Sequence, residues 1–362
     1  MRGLLLLITT TKVLASICSE PYIPLRPYNL ENNTNLNLFT EFRENRTLTF
    51  SGQDVKLAFG SVPRLEVSKP SEFAVVNNVL SKQQINKVIK IVREIHKEDQ
   101  IGDSIDGMPV EKIYLNTYDH IIDKTSKDPI TRIDNILKPV LDKIVTPLVR
   151  QQYPEQCDRD GRKCLACSSM IRHWNPNRRE FLNSHVDTDS IVTFVVSLSQ
   201  HGSDFTGGLY VTPSRGIQKQ YIPLRKGDGV MHQFDLLHGV RVFHGKNRKV
   251  ERFSWILWFK DICEETEEEK IRLRWYKKCA LENDPLCFFQ LMTRLNHNKD
   301  MSSEENIEAS LWLTERAARL NHPRALIKLA QAYVGAVQSM ILSLSLSLSL
   351  LLLLLLLLHV YS

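Results

Sequence analysis

A concentrated basic stripe is missing from this sequence of 362 residues. Its 47 lysine and arginine residues stand against 41 aspartate and glutamate residues, which gives a formal net charge of +6 at pH 7. Proteins that bind the phosphate backbone of nucleic acids gather their basic residues on one face or along one helix. The mild, scattered excess therefore indicates no nucleic-acid partner, whereas a hydrophobic content of 43% is sufficient for a folded core.

Cysteine is scarce, with 7 residues, and no thioredoxin-like βαβ pattern surrounds the Cys-x-x-Cys pair at 164 and 167. A zinc site there would need two further ligands nearby. Without Cys18, which lies at the amino terminus, an even number of cysteines remains, and this favours structural disulfides in an exported chain. These cysteines, whose pairing stays open, are Cys157, Cys164, Cys167, Cys263, Cys279 and Cys287.

The amino-terminal residues 1–19 have a short basic start, an apolar stretch and small residues around Ser19, which predicts a secretory signal peptide. Two glycosylation sequons follow, at Asn32 and Asn45. Residues 20–68 are otherwise polar with little periodicity, so we expect a loosely ordered segment. With the cysteines, these features place the chain in the secretory pathway, in the endoplasmic reticulum lumen or secreted.

Two histidines and an aspartate form the most informative pattern of the chain. His185 and Asp187 come just before a β-rich run at 191–198, and His238 precedes a second such run at 253–259. Two histidines and one carboxylate are the ligand set that holds a non-haem iron(II) ion on one face and leaves three positions open. A His-x-Asp tripeptide alone is weak, since it also occurs by chance.

Further features accompany this pattern in a fixed order. A Gly207-Gly pair precedes one strand, a Gly227-Asp-Gly turn precedes another, and Arg252-Phe-Ser-Trp follows His238. With this order the chain resembles, over residues 70–260, the iron(II)/2-oxoglutarate dioxygenase domain of the prolyl 4-hydroxylase-like superfamily.

The resemblance implies a reaction and its cofactors. Iron(II), 2-oxoglutarate and dioxygen would act together to hydroxylate a C–H bond, and ascorbate is a further candidate cofactor. The metal ligands, which are also the catalytic residues, would be His185, Asp187 and His238.

Two arginines compete for the far carboxylate of 2-oxoglutarate. Arg248 has the family's spacing after the second histidine, whereas Arg252 has the family's context because an aromatic residue and a serine follow it. We favour Arg252 and keep Arg248 as the alternative. The collagen prolyl hydroxylases carry lysine at this place, so an arginine argues against a collagen substrate.

The expected fold class is mainly β with flanking helices. A strand at 72–76 and a helix that begins with a capping box at Ser81 open the region, and a second helix covers 133–149, where prolines divide it in two. Short strands separated by turns follow, and the resemblance implies that they form a double-stranded β-helix, or jelly roll, within a domain at 69–260.

The region after the jelly roll has a different character. Residues 261–270 form an acidic linker, and residues 271–335 contain an internal repeat with the pattern of helix, Asn-x-Pro turn and helix. It resembles Sel-like, tetratricopeptide-related repeats, which implies a protein partner, and the alternative is a helical cap that covers the sheet. The matching positions are Ala280, Asn283 and Pro285 in the first unit and Ala318, Asn321 and Pro323 in the second.

The carboxy-terminal segment 340–358 consists of alternating leucine and serine followed by leucine alone. It is long enough to span a bilayer as a helix and so to anchor the protein in a membrane. A translated dinucleotide repeat has the same appearance, so an error in the gene model is the competing explanation.

The leading function is an iron(II)- and 2-oxoglutarate-dependent dioxygenase that hydroxylates a protein or peptide side chain, such as proline or lysine. The alternatives are a non-catalytic adaptor built from a jelly roll and helical repeats, and a small-molecule oxygenase. His173, Trp174 and Arg179 lie just before His185 and either line the substrate entrance or serve as packing residues.

Overall fold

The computed structural model describes residues 37–64, 70–95, 108–115, 125, 127–159, 162–176, 179–212, 219–243, 250–260, 263, 274–297 and 304–338. The strands among them are β1 (Glu44–Phe50), β2 (Gln53–Val62), β3 (Ser71–Asn77), β4 (Glu111–Leu115), β5 (Asp158–Arg159), β6 (Arg162–Lys163), β7 (Leu165–Trp174), β8 (Phe181–His185), β9 (Val192–Ser197), β10 (Thr206–Val211), β11 (Gln220–Tyr221), β12 (Gly229–Gln233), β13 (His238–Phe243) and β14 (Arg252–Lys260).

Two antiparallel sheets contain nearly all of these strands. The larger has the order β1-β2-β3-β12-β9-β14-β7-β4, and the smaller has the order β11-β10-β13-β8. Val75, Val195 and Val230 of the larger sheet share a buried apolar cluster with Leu209 and Val240 of the smaller sheet. The sheets therefore pack face to face, as in a jelly roll, and the prediction of a mainly β chain with flanking helices is confirmed.

Helices cover the opposite face of the larger sheet. They are α1 (Lys82–Glu94), α2 (Pro129–Val140), a π-helical turn (Leu141–Val145), α3 (Thr146–Gln152) and the short α4 (Pro154–Cys157). Ser81 and Gln84 form the expected capping box, and Ile85 and Val88 pack into the same core as Val76. The second helix begins earlier than 133, and a π-turn that follows Pro139 divides it from α3.

One expectation is wrong. The segment 20–68 was expected to be loosely ordered, yet β1 and β2 within it form a hairpin at the edge of the larger sheet. Ser51 and Gly52 have φ angles of 48° and 80°, as in the two-residue turns that join antiparallel strands. Val55 and Leu57 alternate with polar residues and are buried, but this apolar period is too short to stand out in the sequence. The sheet therefore begins well before residue 69.

The carboxy-terminal region contains α5 (Arg274–Leu281), α6 (Pro285–His297), α7 (Glu304–Arg319) and a further helix at residues 323–338. Asn283 and Asn321 occupy equivalent turns, with left-handed φ angles of 60° and 64°. Both turns therefore have the same local geometry. The relation to Sel-like repeats stays a prediction, while burial of Tyr276 and Phe289 in the core of the larger sheet shows that this region packs against the rest of the chain.

All of the six cysteines considered above are paired in the structure. The disulfides are Cys157–Cys164, Cys167–Cys263 and Cys279–Cys287. Within the described ranges no helix has the length and apolar character required to cross a membrane. The expected signal peptide, nearly all of the acidic linker and the segment 340–358 lie outside these ranges.

Candidate metal centre

Strand pairing brings the three proposed metal ligands together. His185 is the last residue of β8, and His238, the first residue of β13, is its direct cross-strand partner. Asp187 lies in the turn that follows β8. One ligand atom from each of the three side chains lies within 4.8 Å of the other two, and Asp187 Oδ1 is 3.5 Å from His185 Nε2. The arrangement forms a compact set of two imidazoles and one carboxylate.

Backbone carbonyl groups orient both imidazoles. Nδ1 of His185 lies 2.8 Å from the carbonyl oxygen of Asn183, and Nδ1 of His238 lies 2.9 Å from that of Leu236. A carbonyl oxygen only accepts hydrogen bonds, so Nδ1 carries the proton in each ring. Nε2 is left with its lone pair directed toward Asp187, which is the tautomer that a metal ion requires.

The charge states in the cluster also suit a divalent cation. Burial and the neighbouring His232 lower the pKa of His238 to about 3, so this imidazole is neutral at pH 7. Burial raises the pKa of Asp187, but the positive charge that His238 and His185 have when protonated outweighs burial and holds that pKa well below its usual range. Asp187 is therefore ionised, and Thr193 Oγ1 donates a hydrogen bond of 2.6 Å to its Oδ2.

A third imidazole, which the sequence analysis did not identify, borders the cluster. His232 on β12 is fully buried, and its Nδ1 lies 2.9 Å from the carbonyl oxygen of Gln233. Its Nε2 has no hydrogen-bond partner among the described residues and lies 4.0 Å from Asp187 Oδ2. The available signal was a histidine in an apolar strand, six positions before His238 in the sequence.

Arg252 lies between the two sheets. It is the first residue of β14, opposite Trp174 of β7, and its side chain is 1% exposed. Among the described residues, its Nε and Nη2 atoms have no hydrogen-bond partner. Burial, and then Arg172, lower the pKa of Arg252 to about 9, so the guanidinium stays charged at pH 7. Arg248, the alternative, lies outside the described residues.

Two more unpartnered polar atoms share the inner face with Arg252. Side chains two positions apart on a strand point to the same side, so Ser254 lies beside Arg252. Ser254 Oγ and Trp174 Nε1 are buried and have no hydrogen-bond partner in the described part of the chain. Native structures rarely leave such groups unsatisfied unless a water molecule, ion or ligand completes them. The donors around Arg252 therefore fit an anionic ligand, and the histidine–aspartate cluster fits iron(II).

The three candidates for the substrate entrance have different surroundings. Trp174 faces the interior with Arg252. His173 points to the opposite face of β7, where it forms an ion pair with Glu111 and stacks on Phe253 at 4.2 Å between ring centroids. Arg179 donates hydrogen bonds to the carbonyl oxygens of Phe181 and Met108. His173 is therefore a packing residue, whereas Trp174 shares the inner face with Arg252, and the guanidinium of Arg179 lies 5.5 Å from the centroid of the Trp174 ring.

No known family model matches the chain, and neither does any curated protein. Among solved structures, it is similar to an oxidoreductase of the 2OG-Fe(II) oxygenase family from Burkholderia pseudomallei, with 14% identity, coverage of 51% of this chain and 81% of that chain, and a TM-score of 0.36. It is also similar to a prolyl hydroxylase from Trichoplax adhaerens, in complex with a hypoxia inducible factor peptide fragment, with 14% identity, coverage of 52% and 83%, and a TM-score of 0.36.

A third solved structure is SnoK, a non-heme alpha-ketoglutarate-dependent carbocyclase of nogalamycin biosynthesis, with 13% identity, coverage of 52% and 79%, and a TM-score of 0.37. By description, the first belongs to the 2OG-Fe(II) oxygenase family, the second is a prolyl hydroxylase, and the third is an alpha-ketoglutarate-dependent carbocyclase. At TM-scores and identities this low, the likeness by itself establishes neither the fold nor the activity of this chain.

Proposed function

We propose that this chain is an iron(II)- and 2-oxoglutarate-dependent dioxygenase that hydroxylates a side chain of a protein or peptide. The observation that carries the proposal is the pairing of two sites inside one fold. His185, Asp187 and His238 present an oriented set of metal ligands, and Arg252 presents a buried guanidinium whose Nε and Nη2 have no hydrogen-bond partner among the described residues.

The balance of buried charge supports the binding of a divalent metal ion together with 2-oxoglutarate. A buried guanidinium without a counter-ion costs several kcal/mol, and Arg172 nearby adds to the repulsion. A dicarboxylate would neutralise Arg252 together with the single positive charge that remains when Asp187 binds a divalent metal ion. A monocarboxylate would leave one positive charge buried, so a dianion such as 2-oxoglutarate fits better.

The residues of the chain have distinct tasks in this proposal. When bound, iron and 2-oxoglutarate supply the oxidising chemistry. His185, Asp187 and His238 hold the metal, while Arg252 and Ser254 bind the far carboxylate. Buried apolar side chains of both sheets exclude water from the space between them.

The substrate class and location rest on additional features. Three disulfides support an oxidising compartment, and with the expected signal peptide they favour the secretory pathway. A prolyl or lysyl side chain is the substrate that the family resemblance implies, with ascorbate keeping the iron reduced. An arginine at position 252 argues against collagen as the target.

Succinate formation from 2-oxoglutarate by the purified protein, with iron(II) and ascorbate, tests the proposal. We expect turnover that requires iron and is lost in His185→Ala, which removes a ligand. His201→Ala is a matched control, because His201 is a partly buried histidine outside the cluster. A protein that binds neither iron nor 2-oxoglutarate by calorimetry would contradict the proposal and favour the adaptor function. Turnover stimulated by small molecules but by no peptide would contradict only the substrate class.

A further inference from the structure

The turn that bears Asp187 is held by the carboxy-terminal helices. Tyr276 of α5 is fully buried, and its hydroxyl group donates a hydrogen bond of 2.5 Å to the carbonyl oxygen of Thr188. Thr188 directly follows Asp187. The next residue, Asp189, forms an ion pair with Arg294 of α6. Two successive residues after the carboxylate ligand are therefore bound by side chains of the helical region.

The turn that precedes His238 contacts the same helices. The ring of Phe234 packs edge-on against the ring of Tyr276, with 5.1 Å between centroids. Arg64 also joins this turn to the helices, since its guanidinium lies 3.3 Å from Asp235 and forms a two-pronged ion pair with Asp284 at the start of α6. The helical region thus touches both segments that carry metal ligands.

These contacts bear on the geometry of the metal site. Asp187 is fixed through its carboxylate by Thr193, but the backbone position of the turn depends on neighbours such as Tyr276. Metal ligands must be placed within about 0.5 Å of their productive positions. Groups that orient ligands typically contribute about 10- to 100-fold in metal affinity.

We propose that Tyr276 is a positioning residue for the metal centre, so that the carboxy-terminal helices are part of the metal-binding unit. The inference rests on the proposed function only in requiring that His185, Asp187 and His238 bind a divalent metal ion. It differs from the earlier expectation that these helices serve either as a partner-binding module or as a cover for the sheet.

Tyr276→Phe in the full chain is the direct test, because it removes the hydroxyl group and keeps the ring that packs on Phe234. Cobalt(II) is the probe, titrated by calorimetry and by its visible absorption, which reports the coordination geometry. We expect cobalt affinity to fall about tenfold and the absorption bands to shift. Arg294→Gln should produce a smaller loss of affinity, because Arg294 binds an exposed side chain.

Ser169→Ala is the matched control. It removes a buried hydrogen bond, from Trp255 Nε1 to Ser169 Oγ, between β14 and β7, so it lowers stability without touching either ligand-bearing turn. Wild-type cobalt affinity and spectrum in Tyr276→Phe would overturn the inference, as would an equal loss of affinity in Ser169→Ala. If the unmodified protein binds no cobalt, or His185→Ala binds it normally, the proposed metal site itself fails.

Discussion

At the scale of single residues, the tautomers of the histidines are decided by backbone carbonyl groups. His185, His232 and His238 each place Nδ1 within hydrogen-bonding distance of a carbonyl oxygen, so each presents the lone pair of Nε2 to its surroundings. Two of these nitrogens join Asp187 in the compact cluster. The third borders it and has no hydrogen-bond partner in the described part of the chain. A hydrogen bond to a backbone carbonyl group thus orients all three imidazoles around the carboxylate of Asp187.

Arg252 supports a prediction at the same scale. Substitution by glutamine removes the buried charge, so we expect the affinity for 2-oxoglutarate to fall about 100-fold, on the order of two charge-assisted hydrogen bonds. Arg252→Lys keeps the charge but not the planar fork, and should lose about tenfold. Calorimetry with 2-oxoglutarate on cobalt-loaded protein measures both. Cobalt affinity should be unchanged in each variant, and unaltered 2-oxoglutarate binding in Arg252→Gln would assign the role to another cation, such as Arg248.

At the scale of elements, the alternation of side chains along β14 directs its packing residues to one face of the sheet and its candidate ligand-binding residues to the other. Phe253 and Trp255 face the helices and join the core there, whereas Arg252 and Ser254 face the smaller sheet. A shift of one residue in the pairing of β14 would exchange these two sets. Pairing with β7 and β9 on both sides of the strand fixes its register, and with it the direction of the arginine.

The disulfides give a prediction at the scale of elements. Cys167–Cys263 joins residues separated by 96 positions, whereas Cys279–Cys287 spans only 8. Because a cross-link restricts the unfolded chain more when it closes a longer loop, we expect replacement by two alanines to cost about 4 to 5 kcal/mol for the long loop and about 2 to 3 kcal/mol for the short one. Urea unfolding of the two double variants compares them. Equal losses would mean that loop length does not govern these bridges.

At the scale of the whole molecule, one buried core joins the outer face of the larger sheet to both groups of helices. Val76 and Val196 of the sheet, Ile85 of α1 and Phe289 of α6 belong to the same cluster. The second cluster lies between the sheets and borders the candidate site. Stability and site geometry are therefore linked, since the helices that complete one core also contact the ligand-bearing turns.

Buried neutral histidines predict how global stability depends on pH. The pKa of His238 is about 3 in the folded chain because of burial and His232, and about 6.5 in the unfolded chain. Between these values only the unfolded chain binds the proton, so stability falls as the pH decreases from about 6.5 toward 3. For His238 we expect a loss of about 2 kcal/mol between pH 7 and pH 5 in metal-free protein.

Urea unfolding at several pH values measures this loss. Other groups titrate in the same range, among them Asp235, whose pKa is raised by burial and whose contribution has the opposite sign. The comparison with His238→Gln isolates the histidine, because the variant should show a shallower dependence on pH. Parallel profiles for the two proteins would contradict the assignment of a depressed pKa to His238.

Local patterns in the sequence were sufficient for several features. The capping box at Ser81, the apolar period of α1 and the shift to short strands follow from propensities and spacing that act over a few residues. The His-x-Asp pair was also visible, because both side chains lie in one segment of the chain. The β1–β2 hairpin was missed because its alternation of apolar residues is brief and its outer positions are polar.

The amino-acid sequence by itself determined which ligand types this protein has and which segments form several of its strands and helices, among them β3, α1, β9 and β14. Only the tertiary structure placed His238 opposite His185, put His232 beside Asp187, turned Arg252 and Ser254 inward, paired the cysteines and brought Tyr276 to Thr188. The physical reason is that these relations depend on strand register and on packing between elements distant in the chain, where burial decides which polar groups keep a partner. The spacing of residues along the sequence does not reveal which distant residues come into contact in the fold.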